Sequence, residues 1–451
     1  MPGAPNSNRN KALLLLILFL DLLGFTLIFP LIPDLLEHYL RQAVGLPIDL
    51  WLIALGQFIE TTLPRTFETG EAAKDAGGYA VGSLLIVVLG GILASLYSLL
   101  QFLTAPYWGR LSDRLGRRRV LLITSVGLTV SYLVWFLSQS FTLFIVSRVI
   151  GGVMSGNMGV ASAAMADITS PEDRTRAMGM VGAAFGMGFI LGPAIGGLAA
   201  IFGEDLRAVA PGILHIFSAP ALAAFVLSLL SAVLNFVYFS ETLSERAGGG
   251  HVWIENPITL FLRSLREPAF GPILLVNFLY VIVFAAYEFS FTFLFKLEFG
   301  LTPPEIGLIF LYMGVVLVLG QGGLVRVLSK RMHAKPMLLI GLALMPIPMY
   351  LLARVAPSVP LALAVLLPVS IGAALIQPAI AGLASLAVAA DKQGVSLGLL
   401  RSAGSLGRTI GPLAGAYAYW TFGSDMTYLL IGALLLVTLL FALRLRSIEP
   451  G

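Results

Sequence analysis

The chain has 451 residues, of which 58% are hydrophobic and only 12% charged, and its mean hydropathy is +0.92. Soluble proteins carry about 25% charged residues, so this composition excludes a soluble globular monomer and indicates that lipid is the solvent. The net charge of +4 fits an excess of Lys and Arg in short loops on one side of a membrane. Cysteine is absent, which excludes disulfides and thiolate metal sites, and we expect no cofactor.

About twelve apolar runs are long enough to cross a bilayer, since a spanning helix needs about 20 residues. The first run is too long for a typical signal peptide and lacks a small-residue cleavage site, so we expect it to be retained as a span. Six runs precede a polar segment and six follow it. They fall at 12–36, 79–108, 119–138, 141–167, 175–202 and 214–240, and then at 269–299, 304–328, 336–355, 358–390, 395–421 and 426–446.

This division predicts an all-α membrane protein with a six-helix half at 1–240, a linker at 241–268 and a second six-helix half at 269–451. The run 358–390 contains Pro368 and Pro378, so it is either one kinked helix or a helix followed by a loop.

Lys and Arg are distributed unevenly between the two sides. If the N-terminus is cytoplasmic, the cytoplasmic segments hold 19 of them and the opposite side holds six. The positive-inside rule then places both termini and the linker in the cytoplasm. On the other side, residues 37–78 form one long acidic loop, whose stretch Leu50–Ile59 is either a short surface helix or unstructured.

An internal repeat relates the fifth and eleventh runs. Small residues and proline recur with the same spacing in both, displaced by 219 residues, and the preceding loops at 112–116 and 329–333 repeat with a displacement of 217. Two parallel halves with the solute bound between them are a transporter architecture. Small residues allow close helix packing, either for movement or for plain tight packing. The positions are Gly179, Gly188, Gly192, Pro193, Gly196 and Gly197 in the first copy, and Gly398, Gly407, Gly411, Pro412 and Gly415 in the second.

These motifs resemble those of the major facilitator superfamily. Residues 109–119 (GRLSDRLGRRR) resemble its signature loop, through Gly109, Asp113, Arg114, Gly116, Arg117 and Arg118. The small-residue pattern of the fifth run resembles the antiporter motif of drug:proton antiporters. Arg148 resembles part of a third motif, with Gly151 where Gln is usual, and residues 19–33 resemble the start of tetracycline-efflux proteins. The resemblance covers nearly the whole chain and implies alternating access driven by a proton gradient.

The residues of the signature loop also suggest a function by themselves. Gly109 and Gly116 permit tight turns, and Asp113 can accept from Arg117, which would lock a gate in one state and release it in the other. Contact of the arginines with anionic lipid headgroups is the alternative. Lys330 stands at the position of Asp113 in the second copy, so that loop should not form the same lock.

Two acids lie inside apolar runs. Asp21 is about ten residues into the first run, about 15 Å from its start, where a charge costs about 2.5–3.5 kcal/mol. Glu288 lies midway along the seventh run, on one face with Phe284, Phe291 and Phe295. Both acids are candidates to carry protons, and the aromatic face suits an amphipathic or cationic solute. The alternatives are packing roles for the acids and for the rings.

Three arginines also lie in apolar runs. Arg148 heads a small-residue face and is a candidate to pair with Asp21, while Arg401 and Arg408 lie seven residues apart and could bind an anionic solute or serve the gate. Asn157 and Gln377 are further candidates for the substrate cavity.

The sequence therefore favours a monomeric proton-coupled antiporter that exports amphipathic organic compounds, in a prokaryotic inner membrane, with no nucleic-acid partner. The second hypothesis is a transporter of a lipid-like solute or an organic anion. A membrane enzyme is disfavoured, because no nucleophile–base pair or metal cluster can be recognised.

Overall fold

A computed structural model describes residues 7–43, 47–62, 79–169, 174–243, 257–388 and 393–445. These residues are almost entirely helical, and no β-strand occurs among them. The expected all-α membrane fold is therefore confirmed.

The helices of the first half of the chain are α1 Ser7–Thr26, α2 Ile32–Ala43, α3 Leu50–Thr62, α4 Tyr79–Leu115, α5 Arg117–Phe136, α6 Phe141–Met154, α7 Asn157–Asp167, α8 Arg174–Ala200, α9 Gly203–Val209 and α10 Ser218–Tyr238. Those that follow are α11 Pro257–Ser264, α12 Gly271–Leu297, α13 Pro303–Leu319, α14 Arg326–Leu328, α15 Ala334–Leu344, α16 Pro346–Arg354, α17 Val359–Leu386 and α18 Gln393–Leu443. A π-helical segment, Gly320–Val325, joins α13 to α14.

Eleven helical segments of the described residues are long and apolar enough to span a membrane. The last of them lies in α18, where Gly423 has φ 76° and ψ 179° and separates two helices. Glycine adopts a positive φ without the steric cost that a side chain would add. With α18 counted as two helices, the described residues contain twelve candidate spans, the number that hydropathy predicts.

Several local expectations can now be decided. The stretch beginning at Leu50 is the helix α3, so the unstructured alternative for this part of the loop is wrong. The run 358–390 contains a single helix, α17, with Pro368 and Pro378 inside it. The linker contains the short helix α11, which hydropathy did not predict, and its residues 244–256 lie outside the described structure.

Contacts between Cα atoms divide the chain into two compact units. The first consists of Met1–Trp51, Leu99–Ile254 and Pro303–Leu311, and the second of Leu52–Ser98, Glu255–Thr302 and Tyr312–Gly451. The expected boundaries at 240 and 269 stay a prediction.

Candidate functional site

Helix α8 packs closely on α1 in the first unit, along the small residues of the repeat. A Cβ atom placed at Gly188 would lie 2.5 Å from Leu22 Cβ, and one at Gly196 would lie 1.9 Å from the Leu27 carbonyl oxygen. Only glycine fits at such distances, because the neighbouring atom at Gly196 belongs to the backbone. Thr26 adds a polar contact, since its hydroxyl donates to the carbonyl oxygens of Leu22 and Gly188, each at 2.9 Å.

Helix α18 packs on α12 in the same way in the second unit. A Cβ atom at Gly407 would lie 3.1 Å from Val281, and one at Gly411 would lie 2.7 Å from Ala285. Gly407 and Gly411 follow Gly188 and Gly192 by 219 residues, and their partners on α12 follow those on α1 by 259. The sequence repeat is therefore also a repeat of helix packing.

Helices α8 and α18 each contact a second helix as well, through the backbone carbonyl of the proline in the motif. A Cβ atom at Gly307 would lie 2.9 Å from the Pro193 carbonyl oxygen, and one at Gly91 would lie 2.9 Å from that of Pro412. Gly197 of α8 also lies directly against the backbone of α13. The second copy is not tightly packed at its first position, because a Cβ atom at Gly398 would meet nothing within 4 Å. Gly179 lies in the first turns of α8, and its surroundings fall outside the description.

Asp21 lies in the interior of the first unit, with 2% of its surface exposed. Asn157, at the start of α7, donates from its side-chain amide to Asp21 Oδ2. The other oxygens of both groups, Asp21 Oδ1 and Asn157 Oδ1, make no hydrogen bond of standard geometry with the described residues, although the Ser231 hydroxyl of α10 lies close enough to act on the Asp21 carboxyl. An amide can donate to a carboxylate and, after rotation, accept from a carboxylic acid. Asn157 is therefore a suitable partner for both protonation states of Asp21.

Arg148, in α6, is 4% exposed and lies among aromatic rings. Its guanidinium carbon is 4.9 Å from the ring centroid of Trp135, 5.4 Å from that of Phe144 and 5.6 Å from that of Tyr132. Such cation–π contacts offset part of the cost of burying the charge. The proposed pairing with Asp21 stays a prediction.

Glu288 and Arg408 lie in the second unit, on α12 and α18. Arg408 acts electrostatically on both Glu288 and Tyr280. The ring of Tyr280 stacks on that of Phe284, with centroids 5.6 Å apart. The displacement of 259 residues between α1 and α12 places Tyr280, and not Glu288, at the position of Asp21. The two acids are therefore not equivalent in the repeat, and Glu288 corresponds to Phe29.

The remaining cavity candidates lie in different environments. Phe291 and Phe295 are 1% and 0% exposed, and their ring centroids are 4.5 Å apart. These two rings are packed in the interior in this conformation, while Phe284 is half-buried. Gln377 and Arg401 have exposed side chains.

The signature loop is built around Arg117, at the start of α5. Its guanidinium pairs with Asp113 at 2.6 Å and with Asp167 at 2.8 Å, and it donates to the Ser112 hydroxyl at 2.6 Å. Arg117 is 7% exposed, so these partners compensate a charge that has little contact with solvent. Arg114 is exposed.

Glu241, assigned to the linker from the sequence, turns out to be part of this cluster. Its carboxylate accepts from the backbone N–H groups of Arg117 at 2.8 Å and Arg118 at 3.3 Å, at the N-terminus of α5, where an acid is favoured. Arg118 also donates to the Phe236 carbonyl at 2.6 Å. Gly116 has φ 103°, and a Cβ atom there would lie 2.1 Å from Glu241 Oε2.

The expected turn at Gly109 is wrong. Gly109 lies inside α4, which continues to Leu115, and a Cβ atom at Gly109 would meet nothing within 4 Å. Helix α4 extends beyond its apolar run because the following residues, up to Arg114, are compatible with a helix that ends at a positive-φ glycine. Asp167 and Glu241 were not predicted as partners in the Arg117 cluster, although each is an acid at the end of a span beside a neighbouring loop, which could have suggested this role.

Comparison with known proteins identifies the family. The family model of the Major Facilitator Superfamily matches residues 14–332 and 273–451. The chain belongs to this superfamily. Its members are transporters, so the polar groups buried in its spans belong to a transport protein.

Two curated relatives and one solved structure illustrate the similarity. The chain is 34% identical to major facilitator superfamily domain-containing protein 10 of Bos taurus, over 98% of this chain and 93% of the relative. It is 31% identical to the class C tetracycline resistance protein of Escherichia coli, over 78% and 86%. The crystal structure of the human organic anion transporter TETRAN aligns with a TM-score of 0.72 and 29% identity, covering 97% of this chain and all of that chain.

Proposed function

We propose that this transporter is a proton-coupled antiporter that exports amphipathic organic compounds by alternating access. Asp21 and Glu288 carry protons, Arg148 responds to the charge of Asp21, and the Arg117 cluster belongs to the gate. The observation that carries the proposal is the buried Asp21, held by an amide that can serve both of its protonation states.

The proton gradient is an adequate energy source. One charge that crosses 100 mV yields about 2.3 kcal/mol, and one pH unit adds about 1.36 kcal/mol. Together they could sustain a solute gradient of several hundred-fold per proton. The similarity to a tetracycline resistance protein supports an amphipathic organic substrate.

An organic anion is the second candidate substrate. The human relative of known structure is described as an organic anion transporter. The half-buried Arg408 and the exposed Arg401 supply positive charge within the spans, where an anion would need it. A substrate bound by Arg408 would compete with Glu288 for the same cation, and this competition would couple the anion to the protonation of Glu288.

The test uses liposomes that contain the purified protein and a trapped pH indicator. Tetracycline, ethidium as a lipophilic cation and fluorescein as an organic anion are each added, and proton movement is recorded. We expect substrate-triggered proton movement in the wild type and its loss in Asp21→Asn or Glu288→Gln. Glu204→Gln is the control, because Glu204 is paired with Arg207 on the short helix α9, outside the spans.

Two results would contradict the proposal. If none of the three compounds moves protons, coupling is absent. If both acid variants behave like the wild type, the acids serve packing and the transporter works without them.

The proposed location is a prokaryotic inner membrane, with both termini in the cytoplasm and the protein acting as a monomer. The native chain lacks cysteine, so single cysteines can report orientation. Lys330→Cys should react with a membrane-impermeant maleimide only in inverted vesicles, and Asp205→Cys only in right-side-out cells.

A further inference from the structure

The fourth candidate span, Phe141–Asp167, is interrupted near its middle. The two residues between α6 and α7, Ser155 and Gly156, have ψ angles of 7° and −10°. An α-helix has a ψ of about −42°, so the regular helix stops at this point and starts again. The interruption lies immediately before Asn157, whose side-chain amide donates to Asp21.

Two side chains of α4 bind to this interruption. The indole N–H of Trp108 donates to the Val153 carbonyl oxygen at 2.6 Å, and the Thr104 hydroxyl approaches the same oxygen at 3.1 Å. In an uninterrupted α-helix this carbonyl would accept from the backbone N–H of residue 157. The Thr104 hydroxyl also donates to the Leu100 carbonyl at 2.8 Å, so the indole is the stronger of the two donors. A carbonyl without a donor is costly inside a membrane, and the indole therefore stabilises the interruption.

The ring of Trp108 fills the space beside the interruption. A Cβ atom at Gly156 would lie 2.2 Å from Cδ1 of the indole, so a side chain at this position would displace the ring. Trp108 is 6% exposed and belongs to one apolar cluster with Leu18 of α1 and Val160 of α7. This cluster joins the helix of the buried acid to the helix of its amide partner.

Packing alone does not require an indole at this position. Phenylalanine would fill most of the same space, but it has no donor for the Val153 carbonyl. Trp108 contacts the chain on both sides of Ser155, through its N–H at Val153 and through its ring at Gly156. The peptide bond from Gly156 then fixes where Asn157 begins α7. Because an asparagine side chain is short, a shift of its backbone moves the amide by about the same distance.

We propose that Trp108 is a positioning residue for proton coupling: its indole N–H and ring fix the interruption between α6 and α7, and thereby hold the Asn157 amide against Asp21. The amide donates to the carboxylate and, after rotation, accepts from the carboxylic acid. A displaced amide serves both protonation states less well. The inference rests on the proposed proton transfer at Asp21.

The test uses liposomes that contain the purified protein, with whichever of tetracycline, ethidium and fluorescein moves the most protons in the wild type. Two rates are recorded: proton movement triggered by this compound, and exchange of the labelled for the unlabelled compound at equal pH on both sides, which needs no net proton transfer. Trp108→Phe keeps an aromatic ring and removes the N–H. We expect its proton movement to slow about tenfold and its exchange to stay within about twofold of the wild-type rate.

Two further variants and a control define the contact. Gly156→Ala pushes the indole away and should resemble Trp108→Phe, whereas Thr104→Val removes the weaker donor and should slow proton movement less. Tyr107→Phe is the control, because Tyr107 is the neighbour of Trp108 on α4 and is 53% exposed. It should match the wild type in both rates. If exchange slows as much as proton movement in Trp108→Phe and Gly156→Ala, the role of Trp108 is structural and the inference is overturned.

A double-mutant cycle tests whether Trp108 acts through Asn157. Asn157→Ala removes the amide and should itself slow proton movement about tenfold. Adding Trp108→Phe to Asn157→Ala should change that rate by about twofold at most, because the amide that Trp108 positions is already absent. The two single variants should also shift the pH profile of proton movement in the same direction and by the same amount. A slowing of about a hundredfold in the double variant would mean independent effects and would overturn the inference.

The failures of the two proposals can be told apart. If the wild type moves no protons with any of the three compounds, or if Asp21→Asn behaves like the wild type, the proposed transfer at Asp21 falls and this inference falls with it. If Asp21→Asn abolishes proton movement while Trp108→Phe and Gly156→Ala match the wild type in both rates, only the positioning role of Trp108 is overturned.

Discussion

The two copies of the small-residue motif pack in the same register but not equally tightly. A Cβ atom at Gly196 would lie 1.9 Å from the backbone oxygen of Leu27, directly after α1, whereas one at the equivalent Gly415 would lie 3.0 Å from a backbone oxygen of α12. The α1–α8 contact also has the Thr26 hydroxyl between the helices, and Ala285 stands at that position in α12. The two helix pairs therefore share the same geometry, but the α1–α8 pair leaves less space for a side chain.

The largest expected effect comes from exchanging glycine for alanine at these equivalent positions. Gly196→Ala forces a methyl group against the Leu27 carbonyl, which belongs to the backbone and cannot rotate away. We expect a loss of about 3 kcal/mol or more in the free energy of unfolding. Gly415→Ala should cost about 1 kcal/mol or less, since its nearest atom is at a distance that a small shift relieves. Thermal unfolding in detergent measures both variants.

Gly182→Ala controls for the helix propensity of the new residue. A Cβ atom at Gly182 meets nothing within 4 Å, so this variant should unfold at or slightly above the wild-type temperature. Equal losses in Gly196→Ala and Gly415→Ala would show that the two helix pairs are equally tight, against the comparison above.

The repeat shows how far sequence can lead. The spacing of Gly188, Gly192 and Gly196 predicted a packed face, and hydropathy predicted the number of spans, because both depend on short-range periodicity. The kink at Gly423 lay between two predicted runs, although nothing in the pattern indicated that the turn would be a single residue. Local signals of this kind carry most of the fold.

The site was less predictable. The sequence suggested Asp113 as a partner of Arg117 because both lie in the short signature loop, but Asp167 and Glu241 reach Arg117 from 50 and 124 residues away. Partners brought together by tertiary packing leave no spacing signal. The same reason explains why Asn157 was a separate cavity candidate and not a partner of Asp21.

The signature loop differs more strongly between the copies than the helices do. Arg117 joins three neighbouring segments, whereas the equivalent position at a displacement of 217 is Ala334. Arg117→Ala should cost about 2 kcal/mol in the free energy of unfolding, because Asp167 loses its charged partner. Transport should also slow. Arg114→Ala, at an exposed position in the same loop, is the control. Equal losses of stability in Arg117→Ala and Arg114→Ala would mean that the specific contacts of Arg117 add nothing to the effect of its positive charge.

His215 and Glu298 should change the stability of the folded protein with pH in opposite directions. Burial lowers the pKa of His215, just before α10, from 6.5 to about 4, and the nearby His38 adds to the fall. Between these values the unfolded chain binds the proton and the folded chain does not, so stability falls as the pH drops from about 6.5 toward 4. Burial raises the pKa of Glu298, directly after α12, so its contribution is present below about pH 4.5 and is lost as the pH rises through the folded-state pKa.

Unfolding temperatures measured between pH 4 and pH 7.5 check these signs. His215→Gln should flatten the fall on acidification, because glutamine does not titrate, while Glu298→Gln should steepen it, because the opposing contribution is removed. If the His215→Gln profile parallels that of the wild type, another group is responsible for the acid sensitivity.

The smallest expected effect separates shape from polarity in the α1–α8 contact. Thr26→Val keeps the shape and removes the hydroxyl that donates to the Leu22 and Gly188 carbonyls, whereas Thr26→Ser keeps the hydroxyl and removes a methyl group. We expect about 1 kcal/mol of destabilisation for the valine variant, from the lost hydrogen bond, and less for serine. Thermal unfolding again provides the measurement. A larger loss of stability in Thr26→Ser would mean that packing of the methyl group holds the helices together. Because Ala285 also presents a methyl group at this position, the α1–α8 pair would then differ from the α12–α18 pair in tightness alone.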